Sequence, residues 1–564
     1  MRAALFVRSY PVFRCLTRLG RIGYDHDHRC LIRCLLVTQE NDTGNAPRQS
    51  SRYAHAVQDA PAATTGLCYE SLPVKYALAL LLLVASAGAA HPASPPHEYE
   101  PRWESLDRRP TPRWFTDAKF GIIIHWGLYS VPAWSVRGEY SEWYWNRIMD
   151  PHSPNPWRAF HDKAFGHAFS YPQFAPRFRA ELYDPDQWAK IFADSGAKYV
   201  VPTSKHHDGF CLWPSAEANR TWGRPWNSVD AGPRRDLLGD LTRAVRKQGL
   251  KMGFYYSLYE WYNPLWLKDK KRYAVEHMGP QFKDVVRRYA PSIIFADGEW
   301  DMPSSDWHTP ELLAWLLNES RCRDEVVIND RWGKECRHKH GGYWTTEYGA
   351  GLPNADHPWE EDRGMAFSFG YSRTEVLEDY RTGQDLVWML ADLVSRGGNL
   401  MLDIGPTADG RIPVVMQDRL SEIGHWLAVN GEAIYGSGTW KNTCQWSDGQ
   451  QPRQGYGQFR VKYDVAKMVG TRPVDGQARK QAFFTTKAGV LYAILPRWPG
   501  KTFTLKGIVL GSGAQVRMLG VKGTLHHETV GGDTVIRMPE LAVDELLCKY
   551  AWTLKIPGVA GAEQ

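Results

Sequence analysis

The sequence is poor in cysteine and carries almost no net charge beyond its first 90 residues. It has 9 cysteines in 564 residues, and their spacing contains no zinc-binding pattern. Residues 1–90 hold 10 Lys and Arg against 6 Asp and Glu, which leaves 58 against 56 in the rest of the chain. Because a nucleic-acid-binding protein would show a basic face, this balance predicts no nucleic-acid partner.

A long apolar segment is also missing. The run Tyr76–Val84 is too short to cross a bilayer, but it follows Lys75 and precedes small residues that end at Ala90. This order is typical of a secretory signal, so we expect residues 74–90 to be a signal peptide and the mature chain to have no membrane span. Residues 1–73 would then be an upstream extension that is either non-native or disordered. A non-native extension would result from a start codon assigned too far upstream. The alternative is a genuine basic prosequence.

Two features agree with entry into the secretory pathway, with the lysosome or the cell exterior as destination. The triplets at Asn219 and Asn318 are sequons for N-glycosylation, although such triplets often arise by chance. The odd number of cysteines after residue 90 leaves at least one thiol unpaired, and Cys322 could pair with Cys336. The five are Cys211, Cys322, Cys336, Cys444 and Cys548.

Residues 98–435 alternate short apolar runs with segments of helical period. The segment DPDQWAKIFADSG predicts a helix with Asp184 as N-cap, Pro185 in the first turn and Gly196 at its end. The runs AKYVVPTSKHHDG and LKMGFYYS predict strands that are buried on both faces. Repeated βα units over this length favour an α/β fold with a (β/α)8-like barrel, and an open doubly wound sheet is the alternative.

Residues 440–558 show a different pattern. Short strand-like runs such as GVLYAILPRW and KYAWTLKI are separated by Gly, Pro and Asp, and no helical period interrupts them. This pattern predicts a C-terminal antiparallel β-sandwich. The chain is therefore expected to contain two folded domains, a barrel followed by the sandwich.

Polar and aromatic residues follow each predicted barrel strand. The apolar run Ile293–Ala296, for example, ends in Asp297. Because the carboxyl ends of barrel strands form one face, we expect these groups to line a single pocket. Paired carboxylates with aromatic walls are what glycoside cleavage requires. The strand-end residues are His125, Trp126, His206, His207, Asp208, Tyr255, Tyr256, Asp297, Glu299, Trp300, Asn329, Asp330, Arg331, Trp332, Glu347 and Asp403.

The adjacent histidines His206 and His207 raise the question of a metal site. Neighbouring side chains on a strand point to opposite faces, and no third ligand at a suitable spacing accompanies them. We therefore expect these histidines to contact a polar substrate, and we expect no metal.

Several long motifs carry a family resemblance. PRWFTDAKFGIIIHWGLYSVPAW, SKHHDGFCLWPS, GFYYSLYEW, FADGEWDMP, EVVINDRWG and LMLDIGPTADG follow one another in this order. Together they resemble the α-L-fucosidases of glycoside hydrolase family 29, closest to the animal lysosomal type, over roughly Tyr99 to Val559. The resemblance implies a catalytic barrel followed by a β-sandwich, and retaining hydrolysis of terminal α-L-fucose from fucosylated glycans without a cofactor. Relatives are often oligomeric, which leaves a homo-oligomer open.

The resemblance also implies roles for individual residues. Asp297, in its Asp-Gly-Glu-Trp context, matches the nucleophile, and Glu360 is the expected acid/base, with the adjacent Glu361 as the alternative. Asp208 and Asp403 depart from the family pattern, in which Glu and Asn are more usual at these places. Substrate contacts are implied for His125, Glu142, Trp143, His206, His207, Tyr256 and Arg331.

Double displacement sets requirements on the two carboxylates. It needs them about 5–5.5 Å apart and needs the higher pKa on the proton donor. Two alternatives are a catalytically weak, lectin-like fucose-binding protein on the same barrel and a different retaining glycosidase. The sequence does not indicate which fucosyl linkage is preferred.

Overall fold

The computed structural model consists of a parallel barrel followed by antiparallel sheets, which confirms the predicted fold class. The proposed extension and signal peptide, residues 1–73 and 74–90, lie outside the described residues, and the domain boundaries stay predictions. None of the described helices combines the length and apolar character that a membrane span requires. The structure describes residues 98–353, 356–453, 455–461, 463–470, 475–559 and 561–562.

Eight parallel strands form the curled sheet of the barrel, in the order β5-β4-β3-β2-β1-β8-β7-β6. Most of their residues are buried, because helices cover the outer face and side chains fill the interior. The strands are β1 Phe120–Ile124, β2 Tyr199–Lys205, β3 Lys251–Ser257, β4 Ile293–Asp297, β5 Val327–Ile328, β6 Trp344–Glu347, β7 Trp359–Gly364 and β8 Asn399–Ile404.

Helices connect the barrel strands, and side chains cap several of them. The carboxylate of Asp184 accepts a hydrogen bond from the backbone N–H of Gln187 at 3.0 Å, so this helix begins where the sequence predicts. The helices are α1 Trp103–Leu106, α2 Arg113–Ala118, α3 Tyr144–Ile148, α4 Pro156–Phe165, α5 Pro185–Asp194, α6 Ala216–Trp222, α7 Leu237–Lys247, α8 Pro264–Lys268, α9 Lys270–Tyr273, α10 Gly279–Tyr289, α11 Ser304–Trp307, α12 Thr309–Glu319, α13 Gly383–Ser395, α14 Val414–Asn430 and α15 Val465–Val469.

Short turns of other helix types complete these connections. A π-helical turn, Ala274–Met278, joins α9 to α10. The 3-10 turns are Leu128–Ser130, Ser141–Trp143, Tyr171–Arg177, Leu377–Asp379, Gly431–Ala433 and Val543–Glu545.

Side chains join the two edge strands of the barrel sheet, β5 and β6. The Oδ1 atom of Asp330 accepts hydrogen bonds from the backbone N–H and the hydroxyl of Thr345, at 3.2 and 2.7 Å. The Nε atom of Arg331 donates to the same hydroxyl at 2.9 Å. The seam between β5 and β6 is therefore held by two polar residues that directly follow β5.

Aromatic rings fill the amino end of the barrel. Phe115 of α2 packs against Tyr343 and Tyr199, with ring centroids 4.4 and 5.8 Å apart. These three residues belong to an interior cluster that also contains Ile293 and Met401 from the barrel strands. Because the amino end is filled in this way, the open space of the barrel lies at the carboxyl ends of the strands.

Two antiparallel sheets pack face to face after the barrel. Their strand orders are β13-β16-β11-β10-β9 and β12-β15-β14. Leu491 and Leu554 of the larger sheet and Phe503 and Ile536 of the smaller sheet share one buried core. The strands are β9 Gly438–Trp446, β10 Lys480–Lys487, β11 Val490–Leu495, β12 Thr502–Leu505, β13 Arg517–Met518, β14 His527–Val530, β15 Asp533–Arg537 and β16 Trp552–Pro557.

A buried ion cluster joins the barrel to the sandwich. Asp392 of α13 pairs with Lys480, the first residue of β10, and with Arg396 at 2.8 Å. The hydroxyl of Tyr463, in the loop between β9 and β10, donates to the same carboxylate at 2.9 Å. All three charged side chains are at most 3% exposed. One anion thus faces two buried cations, so the cluster carries one positive charge in excess.

Asp392 and Lys480 contribute unequally to the charge balance of this cluster, and substitution of each residue should show the difference. Asp392→Asn leaves two buried cations without a counter-ion and is expected to lower the free energy of unfolding by about 3–5 kcal/mol. Lys480→Met leaves Asp392 and Arg396 as a balanced pair, so its effect should be clearly smaller. Urea unfolding of both variants measures this difference, and equal losses would contradict the excess positive charge described here.

Candidate active site

A cavity of about 330 Å³ opens at the carboxyl ends of the barrel strands. This volume is near the lower end of the range of about 300–1,000 Å³ found for ligand pockets, so it suits a small ligand such as one sugar ring. Carboxylates, histidines, two arginines and aromatic rings surround it. Its lining residues are Ile123, His125, Tyr140, Glu142, Trp143, His206, His207, Tyr255, Phe295, Asp297, Trp300, Arg331, Arg337, Glu347, Asp362, Phe369 and Phe459.

Asp297, the last residue of β4, is held from several sides. The hydroxyl of Tyr255 donates to its Oδ2 atom at 2.7 Å, and Nη1 of Arg331 donates to its Oδ1 atom at 3.0 Å. Nε2 of His207 lies 3.5 Å from Oδ2. Burial alone would raise the pKa of Asp297, but the charge of Arg331 and the contact with His207 hold this pKa well below its usual range. The carboxylate is therefore ionised.

Glu347, at the end of β6, is the second carboxylate on the same guanidinium group. Its Oε2 atom lies 3.3 Å from Nη1 of Arg331, the nitrogen that also binds Asp297. The Oδ1 atom of Asp297 and the Oε2 atom of Glu347 thus lie 3.0 and 3.3 Å from the same nitrogen. The distance between these two oxygens therefore cannot exceed the sum of these two contacts. The hydroxyl of Tyr140 donates to Oε1 of Glu347 at 3.1 Å. The Glu347 side chain is 15% exposed, against 10% for Asp297.

Two further carboxyl groups line the cavity and differ from Asp297 in protonation. Nη2 of Arg331 donates to Asp362 at 3.3 Å, but burial and the nearby Glu360 raise the pKa of Asp362 well above its usual value. Burial also raises the pKa of Glu142 to about 7, although the backbone N–H of Gly370 donates to its carboxylate at 2.8 Å. Both groups are therefore protonated in mildly acidic solution.

Two histidines of the cavity, His125 and His206, are neutral. Burial lowers the pKa of His125 to about 3 and that of His206 well below its ordinary value. Nδ1 of His125 is hydrogen-bonded to Oδ1 of Asp403 at 2.7 Å, which orients the ring. Nδ1 of His206 is buried and has no hydrogen-bond partner among the described residues, so it is available to a polar group of a ligand.

The expected acid/base, Glu360, needs correction. Its side chain is fully buried, accepts a hydrogen bond from the hydroxyl of Tyr199 and does not line the cavity. Tyr199 belongs to the aromatic cluster at the amino end of the barrel, so Glu360 lies below the cavity. The alternative, Glu361, accepts hydrogen bonds from the backbone N–H groups of Gly349 and Gly351, both at 3.0 Å, and is fully buried. Neither residue takes the predicted position.

The predicted substrate contact Tyr256 also needs correction. Its hydroxyl donates to the backbone carbonyl of Met278 and to Gln281, both at 3.0 Å, so the side chain points out of the barrel. Because strand side chains alternate, its neighbour Tyr255 points inwards and reaches Asp297. The other predicted contacts all line the cavity: His125, Glu142, Trp143, His206, His207 and Arg331.

Several lining residues were not assigned roles from the sequence. Glu347 stands among the strand-end residues, and Asp362 follows Glu360 by two positions, so alternation along β7 would have found it. Arg337 pairs with Glu299 at 2.6 Å and approaches Asp297 to 3.7 Å. Phe459 comes from a loop of the sandwich, and no periodicity of the sequence indicates its position.

The predicted glycosylation sites have internal partners. Nδ2 of Asn219 donates to Asp230 at 2.6 Å, and Nδ2 of Asn318 donates to the carbonyls of Tyr99 and Ala314, at 2.7 and 2.8 Å. Glycosylation at either site stays a prediction, and each glycan would replace these contacts. The five cysteines of the described residues are free thiols, so the suggested pairing of Cys322 and Cys336 is not formed.

Comparison with known proteins matches this chain to fucosidases over most of its length. A family model for alpha-L-fucosidase matches residues 86–432, and one for the alpha-L-fucosidase C-terminal domain matches residues 476–557. The human tissue alpha-L-fucosidase is 39% identical over 494 residues, which cover 86% of this chain and 97% of the human protein. The plasma alpha-L-fucosidase of Rattus norvegicus is 40% identical over 499 residues, covering 86% of this chain and 98% of its own.

Solved structures agree with these matches. The alpha-fucosidase of Thermotoga maritima in complex with a mechanism-based inhibitor is 33% identical, with a TM-score of 0.66, and the match covers 82% of this chain and all of that chain. The complex of an alpha-fucosidase from the same organism with fucose has a TM-score of 0.64 at 32% identity, over 81% of this chain and all of that chain.

The position of Glu360 leads to a prediction about stability. Burial raises the pKa of Glu360 from its ordinary value of 4.5 to about 8, so between these values the folded chain holds a proton that the unfolded chain has lost. The contribution of Glu360 to stability is therefore most favourable below pH 4.5 and declines as the pH rises towards 8. Glu360→Gln is uncharged at every pH, so it should be more stable than the unsubstituted chain by roughly 2–4 kcal/mol at pH 8.

Thermal unfolding at several pH values measures this difference. The gap between Glu360→Gln and the unsubstituted chain should close at pH 4.5, where both side chains are neutral. A variant that is equally or less stable at pH 8 would contradict the buried, protonated Glu360.

Proposed function

The chain belongs to the alpha-L-fucosidase family and is a glycoside hydrolase, and we propose that it removes terminal α-L-fucose from glycoproteins, glycolipids or oligosaccharides with retention of configuration. The proposed reaction is a double displacement through a covalent fucosyl-enzyme. Asp297 is the nucleophile. Glu347, in place of Glu360, is the proton donor and later the base.

One observation carries this proposal: Asp297 and Glu347 bind the same nitrogen of Arg331 inside one cavity. Because both carboxylates contact one nitrogen, their oxygens are close enough to have the spacing of about 5–5.5 Å that retaining glycosidases use. The cavity adds a second argument. Phe295 and Ile123 line it and belong to the apolar cluster inside the barrel, and a small cavity backed by this cluster suits a single terminal sugar.

The first step uses the ionised state of Asp297. Its low pKa keeps the carboxylate charged, as attack on the anomeric carbon requires. Tyr255 and Arg331 fix the orientation of the two oxygens, and the rigid end of β4 fixes the backbone. Because these partners are in place before the sugar binds, little reorganisation is needed when the bond to carbon forms.

The choice of Glu347 as proton donor follows from exposure and restraint. The leaving group departs through the mouth of the cavity, and Glu347 is the most exposed of the cavity carboxylates on Arg331, at 15% against 3% for Asp362. Glu142 is 2% exposed and is held by the backbone N–H of Gly370. In the second step Glu347 takes a proton from water, which then attacks the anomeric carbon and releases fucose.

The neutral side chains of the cavity suit the hydroxyl groups of a sugar. Nδ1 of His206 is available as a hydrogen-bond partner, and protonated Glu142 can donate one. His125 is oriented by Asp403 towards the same space. We further propose that the chain works in the secretory pathway, either in the lysosome or outside the cell, as its tissue and plasma relatives suggest.

Substitution of the two proposed carboxylates should separate their roles. Asp297→Asn is expected to remove nearly all turnover of every fucoside. Glu347→Gln should lower kcat/KM by about 10²–10⁴-fold for a fucosyl disaccharide, whose leaving group needs a proton, and by much less for an aryl fucoside with an acidic phenol. Steady-state kinetics on both substrates measures this pattern.

Glu360→Gln is the matched control, because it makes the same chemical change on a carboxylate that does not line the cavity. Its activity should stay near that of the unsubstituted chain. Trapping with a fluorinated fucosyl donor and peptide mapping should place the label on Asp297. A label on another residue, or a larger loss with Glu360→Gln than with Glu347→Gln, would contradict the assignment.

A further inference from the structure

A loop of the sandwich adds a strand-like segment to the edge of the barrel sheet. The backbone N–H of Glu347 donates to the carbonyl of Gln458 at 2.8 Å, and the N–H of Arg460 donates to the carbonyl of Glu347 at 3.0 Å. The N–H of Val461 donates to the carbonyl of Tyr348 at 2.8 Å. Residues 458–461, which lie between β9 and β10, therefore run parallel to β6 at the residue proposed as proton donor.

Side-chain contacts fasten this segment to the aromatic wall of the cavity. The guanidinium group of Arg460 lies over the rings of Tyr140, Phe367 and Phe459, at 4.8, 4.8 and 5.0 Å from their centroids. Tyr140 is the residue whose hydroxyl binds Glu347. Cation–π contacts of this kind hold a charged side chain flat against aromatic rings, so the segment has a defined place.

Two aromatic residues that line the cavity also reach solvent, and Phe459 is the more exposed of them, at 50% against 39% for Trp300. A ligand that covered this ring with an apolar face would remove apolar surface from water, which is favourable. The ring belongs to the residue that pairs with Glu347, and so it lies on the side of the cavity where the leaving group takes up its proton.

We propose that Phe459 forms a subsite for the leaving group, a pyranose ring that carries the fucose. The inference rests on the proposed function, because it takes Glu347 as the group that protonates the glycosidic oxygen. A sugar ring bonded to that oxygen lies next to Glu347 and outside the fucose cavity, where it can place its apolar C–H face on the exposed phenyl ring. The sandwich thus supplies part of the substrate site.

The subsite can be tested by comparing two substrates that share fucose and differ in the leaving group. A fucosyl disaccharide has a pyranose leaving group, whereas α-L-fucosyl fluoride has none. Phe459→Ala should lower kcat/KM for the disaccharide roughly 10-fold, mainly through KM, and should change kcat/KM for the fluoride by less than about 2-fold. Phe459→Trp, which keeps an aromatic face, should retain disaccharide turnover.

Trp498→Ala is the matched control, because Trp498 is an exposed aromatic residue of the sandwich that does not line the cavity. It should leave both substrates unaffected. An equal loss on both substrates with Phe459→Ala would show that the residue only supports Glu347, and no loss on either would show that no subsite exists; both results would overturn the proposal. Failure of the proposed function gives a different result, because the unsubstituted chain would then not turn over fucosyl fluoride. That result would also overturn the proposed subsite.

Discussion

The guanidinium group of Arg331 is the contact on which the geometry of the cavity depends. It donates to Thr345 across the seam between β5 and β6 and binds three carboxylates, those of Asp297, Glu347 and Asp362. The side chain is 3% exposed. Burying such an ion costs several kcal/mol, which is offset only where its donors are all paired. The closure of the barrel and the arrangement of the carboxylates therefore stabilise each other.

Of the carboxyl groups that contact Arg331, Asp297 and Asp362 differ in protonation because their surroundings differ. Arg331 and the contact with His207 lower the pKa of Asp297 most, and Arg337 adds to this, so the carboxylate stays ionised. Burial raises the pKa of Asp362, and neighbouring acidic groups, chiefly Glu360, raise it further. The difference in protonation thus follows from the surroundings of each carboxylate. An ionised carboxylate and neutral polar groups therefore lie side by side in the cavity.

The sequence predicts the barrel, the sandwich and the position of Asp297 at the cavity better than it predicts the rest of the site. Asp297 could be found because a buried apolar strand precedes it, and the strand end fixes its place. Glu360 and Tyr256 were misassigned for a common reason: direction and depth along a strand decide whether a side chain reaches the cavity. Alternation places Tyr255 inwards, and two residues along β7 separate the buried Glu360 from Asp362 at the cavity. A motif shows neither the direction of a side chain nor its depth along a strand, whereas the register of the sheet determines both.

Phe459 marks the limit of sequence reasoning, because its position depends on contacts between distant parts of the chain. Arg396, which directly follows α13, binds the carbonyl groups of Ala350 and Leu352 in the loop after Glu347 and also pairs with Asp392. Asp392 in turn holds Lys480 and Tyr463 of the sandwich, beyond the segment that pairs with β6. The loop carrying Phe459 and the loop after Glu347 are therefore fastened to the same helix by one ion cluster. A displacement of the sandwich would move both walls on the leaving-group side, while Asp297 on β4 would keep its partners. The cavity thus divides into a part that the barrel alone fixes, which carries Asp297, and a part that also depends on the sandwich, which carries Phe459.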